Sequence, residues 1–262
     1  MNDNRGEPGA PPERPLGLAL LDQLRLAISF LTIIPVLGCD SSGSEDLAAS
    51  FGWFPLVGFV LGAILAFADF CLRRYVRPAA RAALIVIALA VVTGGVHLDG
   101  LADTADALGA GRDRTRALEI LQDSRLGTFG GIALFFVLIL KLSALAGAVH
   151  AGRYQAIFLA PGLGRWAMVM TAQGMTYLRA EGAGSTLLGS RGARNWWVAT
   201  LISTIAVNLT RGTSGWLAAG LAVLLSLALR AFYRRWLGGV TGDLIGAAGE
   251  IVETAVLLAV AN

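Results

Sequence analysis

The stretch from Gly94 to Gly130 reads GGVHLDGLADTADALGAGRDRTRALEILQDSRLGTFG, and the rest of the chain is interpreted around it. It contains His97, one of two histidines, and six of the eighteen acidic residues of the chain. A short apolar run precedes it and a long apolar run follows it. Because polar residues are concentrated here between apolar segments, we expect the chemistry of the protein in this stretch. Its acidic residues are Asp99, Asp103, Asp106, Asp113, Glu119 and Asp123.

The composition of the chain indicates a membrane protein. The 262 residues are 55% hydrophobic and 15% charged, whereas about 25% of the residues of a soluble domain are charged. Only helices and closed barrels cross a bilayer, and the long apolar runs favour helices, so we predict an all-α, polytopic integral membrane bundle. The net charge of +3 comes from arginines in short loops and does not indicate nucleic-acid binding.

The domain organisation predicted from the sequence is simple. Residues 1–15 contain four prolines and mixed charge, which predicts a disordered N-terminal tail. Residues 16–262 are interpreted as a single membrane-embedded domain. Its apolar runs predict seven membrane segments, or eight if the first run crosses the bilayer. These runs are 16–36, 51–72, 82–96, 129–149, 154–177, 196–209, 216–229 and 244–260.

The order of these segments predicts that three polar, glycine-rich loops share one membrane face. Two predicted segments separate the Gly94–Gly130 stretch from the loop at 178–194, and two more separate that loop from 230–243. The face with these loops carries ten arginines against six on the other. Because basic residues favour the cytoplasmic side, we expect the three loops in the cytoplasm. The four arginines at 73–81 argue for the opposite orientation.

Three aspartates in the stretch form a candidate metal site. Asp99, Asp103 and Asp106 have i, i+4, i+7 spacing, so they share one face if this segment is helical. Like charges so placed repel each other unless a cation lies among them, and oxygen ligands of this kind suit Mg²⁺ bound together with substrate phosphates. The alternative is a solvated helix start, where aspartate is also favoured.

A second cluster precedes the next apolar run and suggests phosphate binding. It consists of Asp123, Ser124, Arg125, Gly127 and Thr128. Arginine makes bidentate contacts with phosphate, and the backbone N–H groups of a helix start form an anion site. The simpler explanation is a basic residue at the membrane interface.

Four further polar residues are candidates for the site. His97 has a pKa suited to a general base, or it makes only a structural hydrogen bond. Arg165 lies within a predicted span, where a charge must be paired or line a cavity. Asp243 and Glu250 lie two turns apart and could reach the same cavity, or they pair with arginines such as Arg165 for structure alone.

Two motifs in the central stretch resemble the signature of the cobalamin synthase family, the adenosylcobinamide-GDP ribazoletransferases. They are HLDGLADTAD at His97–Asp106 and LEILQDSRLGTFG at Leu118–Gly130. The resemblance runs in order from Leu24 to the C-terminus. Further matches are FLTIIP from Phe30, FPLVG from Phe54, Arg165, RAEG from Arg179, TGD from Thr241, Gly246, Ala247 and Glu250.

The resemblance implies a multi-pass enzyme of the bacterial inner membrane that acts late in cobalamin biosynthesis. Such an enzyme joins adenosylcobinamide-GDP to α-ribazole or its 5′-phosphate, uses Mg²⁺, and releases GMP. A homo-oligomer, or a complex with other enzymes of the pathway, remains open.

The resemblance and the residues together lead to a hypothesis for the site. Asp99, Asp103 and Asp106 hold Mg²⁺ on the diphosphate. The catalytic residues are His97, Asp103 and Arg125, of which Arg125 stabilises developing charge and His97 or an aspartate takes the proton of the nucleophile. The substrate-binding residues are Asp123, Ser124, Thr128, Arg165, Arg179, Asp243 and Glu250.

Two other classes of protein remain as alternatives. One is a different Mg²⁺-dependent membrane transferase that uses aspartates on helices, similar to the CDP-alcohol phosphotransferases or the aromatic prenyltransferases. The other is a transporter with an ion site near the membrane midplane, which would carry its charges deep in the bundle.

Overall fold

A computed structural model describes residues 16–36, 44–111, 113–123, 125–179 and 192–261. The predicted disordered tail at 1–15 lies outside these residues. Within them the secondary structure is helical, as predicted, and the β contacts are limited to a single bridge between Tyr177 and Val240. The helices are α1 (Leu16–Leu31), α2 (Ser44–Ser50), a 3₁₀ turn (Phe51–Trp53), α3 (Phe54–Leu72), α4 (Pro78–Val92), α5 (Val96–Leu108), α6 (Arg114–Ile120), α7 (Thr128–Ala151), α8 (Tyr154–Ala172), α9 (Gly192–Leu209), α10 (Thr213–Trp236) and α11 (Gly242–Ala261).

Among the described residues, four helical segments are long and apolar enough to cross a membrane: Asp46–Leu72, Thr128–Ala151, Thr213–Trp236 and Gly242–Ala261. The number becomes five if α4 and α5 together make one broken span. The predicted seven to eight segments are therefore not confirmed. At 16 residues α1 is short of the about 20 needed. Helix α8 is almost entirely buried inside the protein, so it does not need the continuous apolar surface that lipid requires.

Helix α8 is the centre of the bundle and packs against α3, α9, α10 and α11. Glycines allow this close approach. A Cβ atom at Gly58 of α3 would lie 2.4 Å from the carbonyl oxygen of Pro161, and one at Gly62 would lie 2.5 Å from that of Phe158. Helix packing in lipid depends on such small residues, because they let two backbones come into contact.

A sharp bend between α4 and α5 positions the central polar stretch. Gly94 and Gly95 adopt φ angles of +61° and +70°, a left-handed conformation that glycine adopts without strain. The chain turns by 87° at this point, so α5 does not continue the direction of α4. With 13 residues, α5 is too short to span the bilayer alone. Gly100 of α5 packs on the backbone of Asp243, where a Cβ atom would lie 2.8 Å from the carbonyl oxygen. The aspartate helix therefore lies against the start of α11.

Candidate active site

The three polar segments of the sequence meet at Arg179. One nitrogen of its guanidinium, Nη2, donates to the carbonyl oxygen of Leu121 at 2.5 Å and to Oδ2 of Asp243 at 2.6 Å. Beside it, Leu178 N–H donates to the Val240 carbonyl at 2.9 Å. One arginine thus connects the central stretch, the segment after α8 and the start of α11. The structure brings parts of these three segments into contact, and their place on one membrane face stays a prediction.

Asp103 lies in a group of acidic side chains. Helix α5 carries it together with Asp99 and Asp106, and Asp243 faces it from the first turn of α11. Burial raises the pKa of Asp103 to about 6; the negative charges of Asp99, Asp243 and Asp106 add to this, while Arg179 opposes it. Asp103 and Asp243 are half-buried and Asp99 is exposed. The group therefore has excess negative charge, is open to solvent, and would be stabilised by a cation.

The residues present fit Mg²⁺ when it is shared with a substrate. In the described part of the chain, no three His, Cys, Asp or Glu side chains converge closely enough to hold a metal ion by themselves. Mg²⁺ in phosphate-processing sites usually binds through one or two carboxylates, with phosphates and waters completing its shell. Asp99, Asp103 and Asp243 can supply such carboxylates.

Asp106 has a different environment from the other aspartates. Its Oδ2 accepts the Gly127 N–H at 2.8 Å and its Oδ1 accepts the Gly130 N–H at 2.9 Å. These two donors lie at the start of α7, where the sequence suggests a phosphate site. Asp106 thus uses part of the anion-binding capacity of this helix end.

The arginine of the second cluster lies at the protein surface. The Arg125 guanidinium contacts Asp123 through Nη2 to Oδ2 at 2.6 Å and Nε to Oδ1 at 3.0 Å. These hydrogen bonds hold the pKa of Asp123 at about 2. Thr128, on the first turn of α7, is also exposed. Ser124 lies outside the described residues. Arg125 is therefore accessible to a phosphate ligand, which would compete with Asp123 for it.

Arg165 and Glu250 lie in a buried network of charged side chains, separate from the acidic group around Asp103. The network contains Lys141, Arg165, Glu250 and Glu253, each at most 4% exposed. Lys141 Nζ contacts Glu250 at 2.5 Å and Glu253 at 2.6 Å, and Arg165 pairs with Glu253. Sequence reasoning missed Lys141 and Glu253 as network members. The sequence does contain a pattern that predicts the network: two cations and two anions lie within apolar runs, where charged side chains must pair.

His97 is buried in the first turn of α5, two residues before Asp99. Within the described residues its Nδ1 has no hydrogen-bond partner. It packs on α11, where a Cβ atom at Gly246 would lie 3.4 Å from the His97 Cα. The charges that act on it are those of Arg165, Glu253 and Lys141. The structure therefore places His97 beside the buried network, and its role as a general base remains a prediction.

Comparison with known proteins identifies relatives along almost the whole chain. The profile of the family described as cobalamin-5-phosphate synthase matches residues 23–261. A protein of Desulforamulus reducens is 39% identical over 238 residues, 91% of this chain and 95% of the relative. A Klebsiella pneumoniae protein is 37% identical over 237 residues, 89% of this chain and 96% of the relative. Both relatives are named adenosylcobinamide-GDP ribazoletransferase. No solved structure matches the chain.

Proposed function

The chain belongs to the cobalamin-5-phosphate synthase family, and we propose from this that it is an adenosylcobinamide-GDP ribazoletransferase. It would join adenosylcobinamide-GDP to α-ribazole or α-ribazole 5′-phosphate and release GMP. The structural observation that supports this most directly is the meeting of three polar segments at Arg179. That contact assembles carboxylates and an accessible arginine at one end of a membrane bundle, as a diphosphate substrate requires.

The reaction transfers a substituted phosphoryl group from the phosphate oxygen of GMP to an alcohol. A hydroxyl oxygen of the ribazole ribose forms a bond to the phosphorus that carries cobinamide, and the bond from this phosphorus to the oxygen of GMP breaks. The hydroxyl proton passes to His97 or to an aspartate of the group, and GMP leaves with the bonding electrons. Such a transfer depends mainly on positioning and on neutralisation of charge.

The residues of the site supply these two functions. One or two of the carboxylates of Asp99, Asp103 and Asp243 would hold Mg²⁺, which neutralises phosphate charge when it is bound. Arg125 would exchange its contact with Asp123 for one with the transferred phosphoryl group or with GMP. Arg179 fixes Asp243 against the central stretch. We assign the open site to the cytoplasmic side of a bacterial inner membrane, because the face with the three polar loops carries ten arginines against six on the other.

The function is tested by mixing the purified protein, in lipid nanodiscs with Mg²⁺, with adenosylcobinamide-GDP and α-ribazole. We expect GMP to appear only when both substrates are present. The Klebsiella pneumoniae relative, prepared in the same way, serves as the positive control. If that relative forms GMP and this chain does not, with either ribazole or its 5′-phosphate, the proposed activity is wrong. The assay also separates a transferase from a transporter, because a transporter would release no GMP.

Arg125→Lys is expected to lower the rate of GMP release by about ten- to a hundredfold. Lysine keeps the charge but loses the planar fork that binds phosphate in a bidentate way, and a hydrogen bond to a charged group contributes about 1.5–3 kcal/mol. The matched control is Arg116→Lys, an exposed arginine paired with Glu119 at 3.3 Å, which should leave the rate unchanged. Full activity of the Arg125→Lys enzyme would exclude bidentate recognition.

A further inference from the structure

Asp106 joins two parts of the site that are separate in sequence. It lies on α5, which carries Asp99 and Asp103, and its carboxylate accepts the N–H groups of Gly127 and Gly130 at 2.8 and 2.9 Å. These two glycines flank Thr128 and Phe129, the first residues of α7, and Gly127 is two residues after Arg125. Both oxygens of Asp106 are thus engaged with the helix that follows the arginine turn.

Glycine is required at these two positions because a side chain would collide with Asp106, and not because of the backbone conformation. Gly127 has a φ of −94°, and Gly130 is within the first turn of a regular helix, so other residues could adopt either conformation. A Cβ atom at Gly127 would lie 2.3 Å from Oδ1 of Asp106, and one at Gly130 would lie 2.3 Å from Oδ2. A Cβ atom at the neighbouring Gly131 would meet nothing within 4 Å. Glycine therefore stands at the two positions where the carboxylate approaches the backbone.

We propose that Asp106 is a positioning residue that clamps the arginine turn, the segment 125–127 that begins with Arg125 and leads into α7, to the aspartate helix α5. A carboxylate on two N–H groups at a helix N-terminus is stabilised both by the hydrogen bonds and by the helix dipole. The clamp sets the distance between Arg125 and the carboxylates of Asp99 and Asp103, which must act on the same diphosphate. This assigns Asp106 a role different from the Mg²⁺ ligand that its spacing suggests, and its effect on catalysis rests on the proposed function.

The clamp predicts that the aspartate and its two glycines behave as one unit. We expect Asp106→Asn, Gly127→Ala and Gly130→Ala each to lower the protection of backbone amides at 125–131 against hydrogen exchange by about tenfold, the effect of losing a helix cap. Asparagine can accept only one of the two N–H bonds, and alanine at either glycine displaces the carboxylate. Gly131→Ala is the matched control and should exchange like the native protein.

A second measurement separates the clamp from a metal ligand. The affinity for Mn²⁺ in the presence of GDP is measured by electron paramagnetic resonance. If Asp106 only positions other residues, this affinity should change to the same extent in Asp106→Asn and in Gly127→Ala. Weaker Mn²⁺ binding in Asp106→Asn alone, or native exchange at 125–131 in that variant, would overturn the proposal. Neither measurement requires turnover, so failure of the clamp and failure of the proposed function are distinguishable.

Of the three variants, Gly130→Ala could also disturb the packing of α7 on α5. Alanine at Gly130 would also approach the carbonyl oxygen of Ala102 at 2.9 Å. If Gly130→Ala does not yield a folded protein, Asp106→Asn and Gly127→Ala still carry the comparison, because a Cβ atom at Gly127 meets Asp106 first. Size-exclusion profiles in detergent decide which variants are folded before either measurement is made.

Discussion

Replacing Asp103 with asparagine is expected to lower the rate of GMP release at saturating Mg²⁺ by about a hundredfold or more, the usual effect of removing a group that stabilises charge in a transition state. Burial, together with the negative charges of Asp99, Asp243 and Asp106, raises the pKa of Asp103 to about 6, so Asp103 is the carboxylate on which the others act. An amide keeps the shape of the side chain but cannot carry the negative charge that holds a cation on phosphate. The measurement is the initial rate of GMP release at several Mg²⁺ concentrations.

The same substitution should not harm the fold. Within the described residues the Asp103 carboxylate makes no hydrogen bond or ion pair, and its removal relieves repulsion from Asp99 and Asp243. We therefore expect a melting temperature equal to or above that of the native protein. The control is Glu119→Gln, an exposed acid on α6 that should affect neither quantity. Near-native turnover of the Asp103→Asn enzyme would exclude the metal role of this residue.

Local features of the site follow from the sequence because they depend on short-range spacing. The aspartate pattern predicts one face of a helix, and α5 contains all three aspartates. The Gly-Thr-Phe-Gly run predicts a helix start, and α7 begins at Thr128. Apolar composition predicts a helical membrane bundle, and segment order predicts that the polar loops share one membrane face, with which their contact at Arg179 agrees. Each of these inferences needs only periodicity, capping or connectivity.

Other features could not be predicted because they depend on which helix faces meet in space. The predicted number of spans is not confirmed. One reason is that α8 is shielded by protein, a property that hydropathy does not encode. The spacing of Asp106 places it on the face of Asp99, but the approach of α7 gives it different partners. The sequence leaves open whether Arg165 and Glu250 contact substrate or pair for structure, and their substrate-binding roles stay predictions. The rotation of α7 and α11 determines that Lys141 and Glu253 neutralise them.

Replacing Lys141 with methionine is expected to lower the free energy of unfolding by about 3–5 kcal/mol, the cost of leaving a buried charge without its partner. Lys141 is the only lysine in the sequence, and it contacts both Glu250 and Glu253. Without it, the positive charge of Arg165 faces two buried carboxylates. Unfolding in mixed micelles of increasing SDS content measures the loss. The control is Leu140→Met, one residue away on α7 and exposed.

Adding Glu250→Gln to Lys141→Met should restore most of this stability, because Arg165 and Glu253 then remain as a neutral pair. A double variant no more stable than Lys141→Met would show that charge balance is not what the network provides. The stable double variant also decides the role of Glu250. If Glu250 only fixes α11, and with it Asp243, against α7, GMP release should persist in the double variant. If Glu250 contacts substrate, the double variant will be folded and inactive, since no repacking of α7 can replace a carboxylate on a ligand.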